Sequence, residues 1–326
     1  MEIREFGVLP DGTEVLQYVL KTCEAEVRIL NLGGIVTDFI YAGRNIVCGF
    51  DSLDDYLRDD SYQGALIGRV SNRIAGASFV LNGTTYHVGA NEGKHSLHGG
   101  NIGFNRRLFK TLKAEGNTLI LTLLSPDGEE GYPGALSLKA TYSLDGSALT
   151  ISYHATSDAD TPVSLTNHSF FNLAGLGSSV LDFRATILAD YYTEVDDDKI
   201  PTGVRAPVEG TPYDLRTPRR IGEREGGYDT NFILNKIADD PCAPSLAAKV
   251  EGGGLTLSVY TTQPCLQFYT GCVLEGEPCF RGGVRKARYT AFCLETQAEP
   301  NAVNRGDAIL RAGQIYSHTT VYEITR

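Results

Sequence analysis

Apolar and polar residues alternate with a period of two from one end of this chain to the other. The runs are EVLQYVL (14–20), AEVRILNL (25–32), NTLILTLL (117–124), LSLKATYSL (136–144), ALTISYHA (148–155), LTLSVYTT (255–262) and HTTVYEIT (318–325). Successive side chains of a strand point to opposite faces, so this period predicts half-buried β-strands. Turn signals separate them: Asp11-Gly12, Asn82-Gly83, Asp127-Gly128, Asp145-Gly146 and the run Gly252 to Gly254. Helical periodicity is nearly absent. The stretch SLDDYLRDD (52–60) predicts one short helix, with Ser52 as its cap and Asp54 and Asp55 favouring its N-terminus. The expectation is an all-β protein, one large antiparallel β-sandwich. No repeat, low-complexity tract or linker interrupts it, so residues 1–326 are expected to form a single domain. The polar stretch 236–248, with Asp239-Asp240-Pro241 and Pro244, reads as a loop between strands.

A formal net charge of −11 weighs against nucleic acid, which needs a basic face, and against an anionic membrane surface. A neutral small molecule fits better. The N-terminus MEIREFGVLPDG lacks the apolar core of a secretory signal, and no run approaches a membrane span. Seven cysteines, an odd number without a C-x-x-C pair, suit reduced thiols and argue against structural zinc. A cytoplasmic protein is expected.

The stretch TNHSFFNLAG (166–175) sets Asn167, His168 and Asn172 around Phe170 and Phe171. Directional hydrogen-bonding groups beside flat apolar rings suit a sugar, with its hydroxyls and C–H faces. They also suit a well-satisfied turn, and both readings stay open at this point. His98, in KHSLHGG, precedes glycines that let backbone approach a ligand. His95 and His98 have a spacing that could serve a metal, but no third ligand falls nearby in a recognisable pattern, so no metal is expected. His87 and His154 lie within strand alternation and His318 opens the last strand, where structural roles are expected.

Glu295 follows the apolar run Ala291 to Leu294, and a carboxylate withdrawn from water becomes a stronger base. Its alternative is a buried carboxylate held for structure alone. Asp229 precedes a strand and could equally form an Asx-turn. Asn72 and Arg73 are adjacent donors on an apolar segment, where a guanidinium needs a carboxylate or a ligand. Gln267, in QFYTG, is a polar residue inside a strand that could simply face solvent.

Together the stretches GRVSNRIAGASF (68–79), SLHGGNIGF (96–104), SPDGEEGYPG (125–134), TPVSLTNHSFFNLAG (161–175), IPTG (200–203), PYDLR (212–216), YDTNF (228–232), YTTQP (260–264), QFYTG (267–271) and CLETQ (293–297) resemble the aldose 1-epimerase, or galactose mutarotase, family. Their order and spacing cover nearly the whole chain. The resemblance implies the family's β-supersandwich and cofactor-free interconversion of the α and β anomers of a free aldose. It implies Glu295 as general base and His168 as general acid, with Asn72, Arg73, His98, Asp229 and Gln267 holding sugar hydroxyls. It implies a small-molecule aldose as partner; a monomer or homodimer is expected.

Anomerisation needs O1 to lose a proton while the ring oxygen gains one, and general acid–base assistance contributes roughly 10²–10⁴-fold. On that reading Phe170 and Phe171 are expected to wall His168 and keep its titration near neutrality. Family members commonly carry Tyr where this chain has Phe170. Tryptophan is absent, leaving Phe104 and Tyr269 as candidates to stack on a sugar. Arg106-Arg107 could instead hold the phosphate of a hexose 6-phosphate, the substrate of a related group. A carbohydrate-binding protein without turnover is the third reading. A two-carboxylate glycosidase lacks a good second carboxylate.

Overall fold

All seven alternating runs form strands, and five of them lie side by side. In the computed structural model, which describes residues 1–236, 240 and 242–326, the strands Thr118–Ser125, Leu136–Asp145, Ala148–Ser157, Tyr316–Thr325 and Leu255–Thr261 are consecutive neighbours in a nine-stranded antiparallel sheet. Lys110–Glu115 closes one edge. Ser245–Gly252, Arg184–Ile187 and Arg219–Arg220 continue the other. The period of two decides which face is buried: Leu136, Leu138, Ala140, Tyr142 and Leu144 all point into the core, while the intervening side chains are more exposed. Burying each such large apolar side chain contributes about 2 kcal/mol.

The two remaining predicted runs belong to a five-stranded sheet, Glu2–Val8, Glu14–Lys21, Ala25–Leu30, Val36–Tyr41 and Arg44–Asn45, built as a meander. A second five-stranded sheet runs in the order Pro201–Pro207, Ala189–Val195, Asp229–Leu234, Cys265–Tyr269, Cys293–Gln297. Apolar residues of all three sheets, among them Val27, Tyr142, Phe232 and Leu294, share one core. The β-sandwich expectation holds.

Ser52 caps the helix Leu53–Arg58 by accepting from the Asp55 N–H, with Asp54 and Asp55 in its first turn. Gly253 and Gly254, both at positive φ, turn the chain between Ser245–Gly252 and Leu255–Thr261, a two-residue hairpin that needs residues free of a Cβ penalty. The loop expected over 236–248 is shorter than its polarity suggested, because Ser245 to Val250 pair with Leu257–Thr261. Of that loop, residues 237–239 and 241, including Asp239 and Pro241, lie outside the described residues. Among the described residues no helix is long and apolar enough to cross a membrane.

Candidate active site

The strand Cys293–Gln297 is buried along its whole length, yet its residues alternate strictly in chemistry. Leu294 and Thr296 point inward, where Leu294 joins the core and Thr296 Oγ1 meets Thr320 Oγ1 at 2.6 Å. Cys293, Glu295 and Gln297 point to the other face. The neighbouring strand repeats the pattern, with Leu266 and Phe268 inward and Gln267 and Tyr269 opposite Glu295 and Cys293. The next strand pairs Asp229 with Tyr269 and Asn231 with Gln267. Directly opposed residues share a face, so Asp229, Gln267 and Glu295 line one side of the sheet while its other side seals the core.

His168 reaches that face from a different part of the chain. It follows the short strand Thr166–Asn167, which pairs with Leu66–Ile67, and its backbone is fixed by His168 N–H to Ala65 O (2.8 Å) and Gly64 N–H to His168 O (2.9 Å). Asn167 braces the same turn, donating to Gly64 O and accepting from Ser169. His168 Nε2 then lies 3.5 Å from Glu295 Oε2. The imidazole stacks on Phe170 with centroids 5.0 Å apart.

His98 arrives on a loop where it adopts φ 52°, its ring edge-on to His168 at 5.2 Å. Its Nδ1 accepts the Asn72 backbone N–H at 3.2 Å, so the imidazole proton resides on Nε2. The glycines beside it make room for protein rather than ligand: a Cβ on Gly99 would lie 2.0 Å from Gly68 O, and one on Gly100 would strike the Glu130 carboxylate. That carboxylate holds the loop by accepting from the Asn101 and Ile102 N–H groups.

A hydrogen-bonded chain connects the polar residues. Lys199 Nζ donates to Asp229 Oδ2 (2.5 Å), Gln267 Nε2 donates to Asp229 Oδ1 (2.8 Å), and Asn72 Nδ2 donates to Gln267 Oε1 (3.3 Å). Arg73 finds the carboxylate it needed in Glu92, at 2.6 Å. The structure therefore brings together Glu295, His168, Asn72, Arg73, His98, Asp229 and Gln267 around one cavity of about 320 Å³, at the small end of ligand pockets. A larger cavity, about 690 Å³ near Lys236 and His318, contains none of these groups.

Burial sets the protonation pattern. It pushes the Glu295 carboxyl well above the ordinary range, helped by the Asp229 charge and opposed by Arg73. It lowers His168 to about 4, against the raising influence of Asp59 and Asp229. Asp59 is itself buried in an ion pair with Lys286 at 3.0 Å. His98 is held well below 6.5 by burial, His168 and Arg73. Both shifts in the central pair favour a neutral imidazole and a protonated carboxyl. His98 Nε2–H is a donor, which leaves His98 without a free lone pair for a metal although His98, His168 and Glu295 present ligand atoms within 4.8 Å of one another.

Several expectations are corrected. Phe171 does not wall His168: it packs in the core against Phe292 and Tyr322. His168 is not held near neutrality, because burial outweighs the neighbouring charges. Phe104 is core, packed beneath Gly68, and Tyr269 alone of the two stacking candidates lines the cavity. Asn172 clamps its own loop, donating to Ser178 O and Thr290 O. Arg106 is committed to the Leu57 and Asp59 carbonyls and Arg107 to Glu129; neither lines the cavity. His95 turns away, accepting from the Gly76 N–H. Asp229 forms side-chain bridges rather than an Asx-turn.

Tyr62, Glu92, Lys199 and Cys293 escaped the sequence reading. Tyr62 packs its ring 4.7 Å from that of His98. Glu92, three residues before His95, is the carboxylate that pairs with Arg73. Lys199 sits in the acidic run DDDKIP, where nothing local marks its pairing with Asp229.

A family model, aldose 1-epimerase, matches residues 17–323. Galactose mutarotase from Sus scrofa is 42% identical over 332 residues, covering 97% of this chain and 96% of its own. A solved structure of galactose 1-epimerase from Lactobacillus acidophilus superposes with a TM-score of 0.87 at 26% identity, over 99% of this chain and 98% of that one. The aldose epimerase homologue from C. elegans gives 0.88 at 25%, over 95% and 98%. Fold and sequence are thus shared with these relatives over nearly the whole length, and the chain belongs to the aldose 1-epimerase family.

Proposed function

We propose that this enzyme interconverts the α and β anomers of free aldoses of the galactose or glucose type, with Glu295 as base and His168 as acid. The observation that carries the reading is the 3.5 Å separation of His168 Nε2 and Glu295 Oε2 on the wall of one cavity. The two atoms stand side by side rather than facing each other from opposite sides of a hexose. That spacing suits O1 and the ring oxygen O5, which are bonded to the same carbon.

The pair carries one proton. Sugar hydroxyls donating to Glu295 favour its carboxylate, which moves that proton to His168. The carboxylate then takes the O1 proton as C1–O1 becomes a carbonyl, C1–O5 breaks, and O5 takes the proton from Nε2. Rotation about C1–C2 turns the aldehyde, and the same transfers in reverse close the ring on its other face. Protons are conserved throughout, so the step needs neither cofactor nor metal.

Asn72, Arg73, His98, Asp229 and Gln267 hold the remaining hydroxyls: His98 donates from Nε2, and Asp229 accepts. The site draws on residues from Asn72 to Glu295, which supports residues 1–326 acting as one domain. Among the described residues the arginine lining the cavity, Arg73, is already paired with Glu92, which disfavours a phosphorylated hexose.

Polarimetry on freshly dissolved α-galactose and α-glucose, then on a panel of other aldoses, tests this reading. The expected result is accelerated approach to equilibrium rotation for at least one free hexose. No acceleration with any aldose overturns it.

A further inference from the structure

Lys199 reaches the cavity from the tip of the hairpin that joins Ala189–Val195 to Pro201–Pro207. Asp196 ties that tip together, its Oδ1 accepting the Asp198 and Ile200 N–H groups at 3.0 and 2.9 Å. Two side chains then leave it for different walls. Asp198 pairs with Lys94 Nζ at 2.7 Å, on the loop that leads to His98, and Lys199 pairs with Asp229 on the sheet. Lys199 itself sits at φ 60°, in the left-handed region that disfavours a residue with a Cβ. Its side chain is 44% exposed, and an ion pair so open to water does little for stability. Neither local preference nor stability accounts for this residue, whereas a role at the cavity does.

The shape of a pyranose says which hydroxyls meet it. With O1 and O5 at Glu295 and His168, the ring atoms farthest away are C4, across from C1, and C3, across from O5. Asp229 stands on the matching far wall: its strand is next but one to that of Glu295 in the sheet, so the two backbones are about 10 Å apart. Lys199 gives one of the three N–H donors of an ammonium to Asp229 Oδ2, and among the described residues it meets no other acceptor. Asp229 accepts once on each oxygen, from Lys199 and from Gln267, which leaves lone pairs on both. A donor and an acceptor thus stand side by side. A vicinal diol is their complement, because one hydroxyl can donate while its neighbour accepts.

We propose that Lys199 is a substrate-contacting residue that sets selectivity at C3 and C4: its Nζ donates to one hydroxyl of that diol while Asp229 accepts from the other. This rests on the reading of Glu295 and His168 as the pair that serves O1 and O5. The hairpin tip thereby contributes to sugar choice from outside the sheet that carries the base.

The test crosses substrate with variant in the full chain: wild type against Lys199→Met, each with the free hexose turned over best and with its 2-deoxy, 3-deoxy and 4-deoxy forms. Anomer exchange is followed by proton NMR. Lys199→Met is expected to raise KM about tenfold for the parent and the 2-deoxy sugar with kcat within twofold, the scale of one charge-assisted hydrogen bond made equally in ground and transition states. On the 3-deoxy or the 4-deoxy sugar, whichever lacks the hydroxyl that Lys199 serves, the same substitution is expected to change KM less than twofold. An equal rise on all four sugars overturns the proposal, as does an unchanged or lowered KM for the parent. Asp198→Ala reproducing the Lys199→Met pattern also overturns it, since the tip would then act only as a roof. Dissociation constants from NMR titration of the same sugars separate this proposal from the reading beneath it. Affinity that depends on Lys199 in this pattern, in a protein that accelerates no anomerisation, leaves the contact standing and removes the mutarotase reading. Turnover indifferent to Lys199 does the reverse.

Discussion

Asp229 and Glu295 share one face of one sheet, but their carboxylates live in opposite surroundings. Asp229 is neutralised by Lys199 and bonded by Gln267. Glu295 Oε2, on a residue only 2% exposed, has no hydrogen-bond partner among the described residues. An unpartnered buried carboxyl destabilises the fold, and that is the expected condition of a group reserved for a reacting proton.

Replacing each carboxylate should therefore have different consequences. Glu295→Gln is expected to reduce kcat by two or more powers of ten with KM changed only modestly, and His168→Asn to behave alike. Asp229→Asn frees Lys199 and weakens the hold on Gln267, so KM should rise roughly tenfold, the scale of one charge-assisted hydrogen bond. Steady-state polarimetry checks both. Full turnover in Glu295→Gln would leave a sugar-binding protein whose acceleration has another source.

Activity should depend on the number of protons shared by the central pair. With His168 lowered to about 4 and Glu295 raised, the one-proton state spans the neutral range. The acid limb of kcat/KM is expected near pH 4, well below an ordinary imidazole, with the alkaline limb above any ordinary carboxylate. An acid limb at pH 6.5 would mean that His168 is solvated in the working enzyme.

Stability should respond to pH in two opposed ways. Between 6.5 and about 4 the unfolded chain protonates histidines that the native state keeps neutral, namely His168, His98 and His318. The unfolded state binds more protons there, so stability falls on acidification, by at most about 1.4 kcal/mol per pH unit for His168. Glu295 has the opposite sign: above pH 4.5 it is ionised when unfolded and protonated when native, so its contribution falls as pH rises. Glu295→Gln is accordingly expected to have a higher Tm than wild type at pH 7, the difference closing towards pH 4.5. Thermal melts of both proteins from pH 4 to 8 measure it.

Glucose 6-phosphate is expected to compete no better than glucose. Arg107→Ala should leave that comparison unchanged, because Arg107 pairs with Glu129 at 2.7 Å outside the cavity. A preference for the phosphate abolished by this substitution would restore the phosphohexose reading.

The outer strands were legible because each exposes one face: Leu136–Asp145 alternates buried with more exposed residues, and its sequence shows it. The strands that build the site are buried on both faces. In Cys265–Tyr269 every residue but Tyr269 is buried, so the strand that carries Gln267 shows no alternation of exposure to tell that this side chain faces a cavity and not solvent. Chemistry was easier to find than its surroundings. Glu295 and His168 stood out by type and flanking residues, whereas Glu92 and Lys199 become significant only when loops distant in sequence meet Arg73 and Asp229. The assignment of Phe104 and Phe171 failed for a related reason: an aromatic beside a polar motif faces the cavity or the core according to its strand phase, and irregular segments conceal that phase.

The strand Cys293–Gln297 separates two compartments with a single layer of backbone. A slip of one residue in its pairing with Cys265–Tyr269 would aim Leu294 at the substrate and send Glu295 into hydrocarbon. Insertions and deletions are thus barred from this segment, and drift in sugar preference is expected at positions off this strand, such as Tyr62 and Lys199, whose exchange leaves that phase undisturbed.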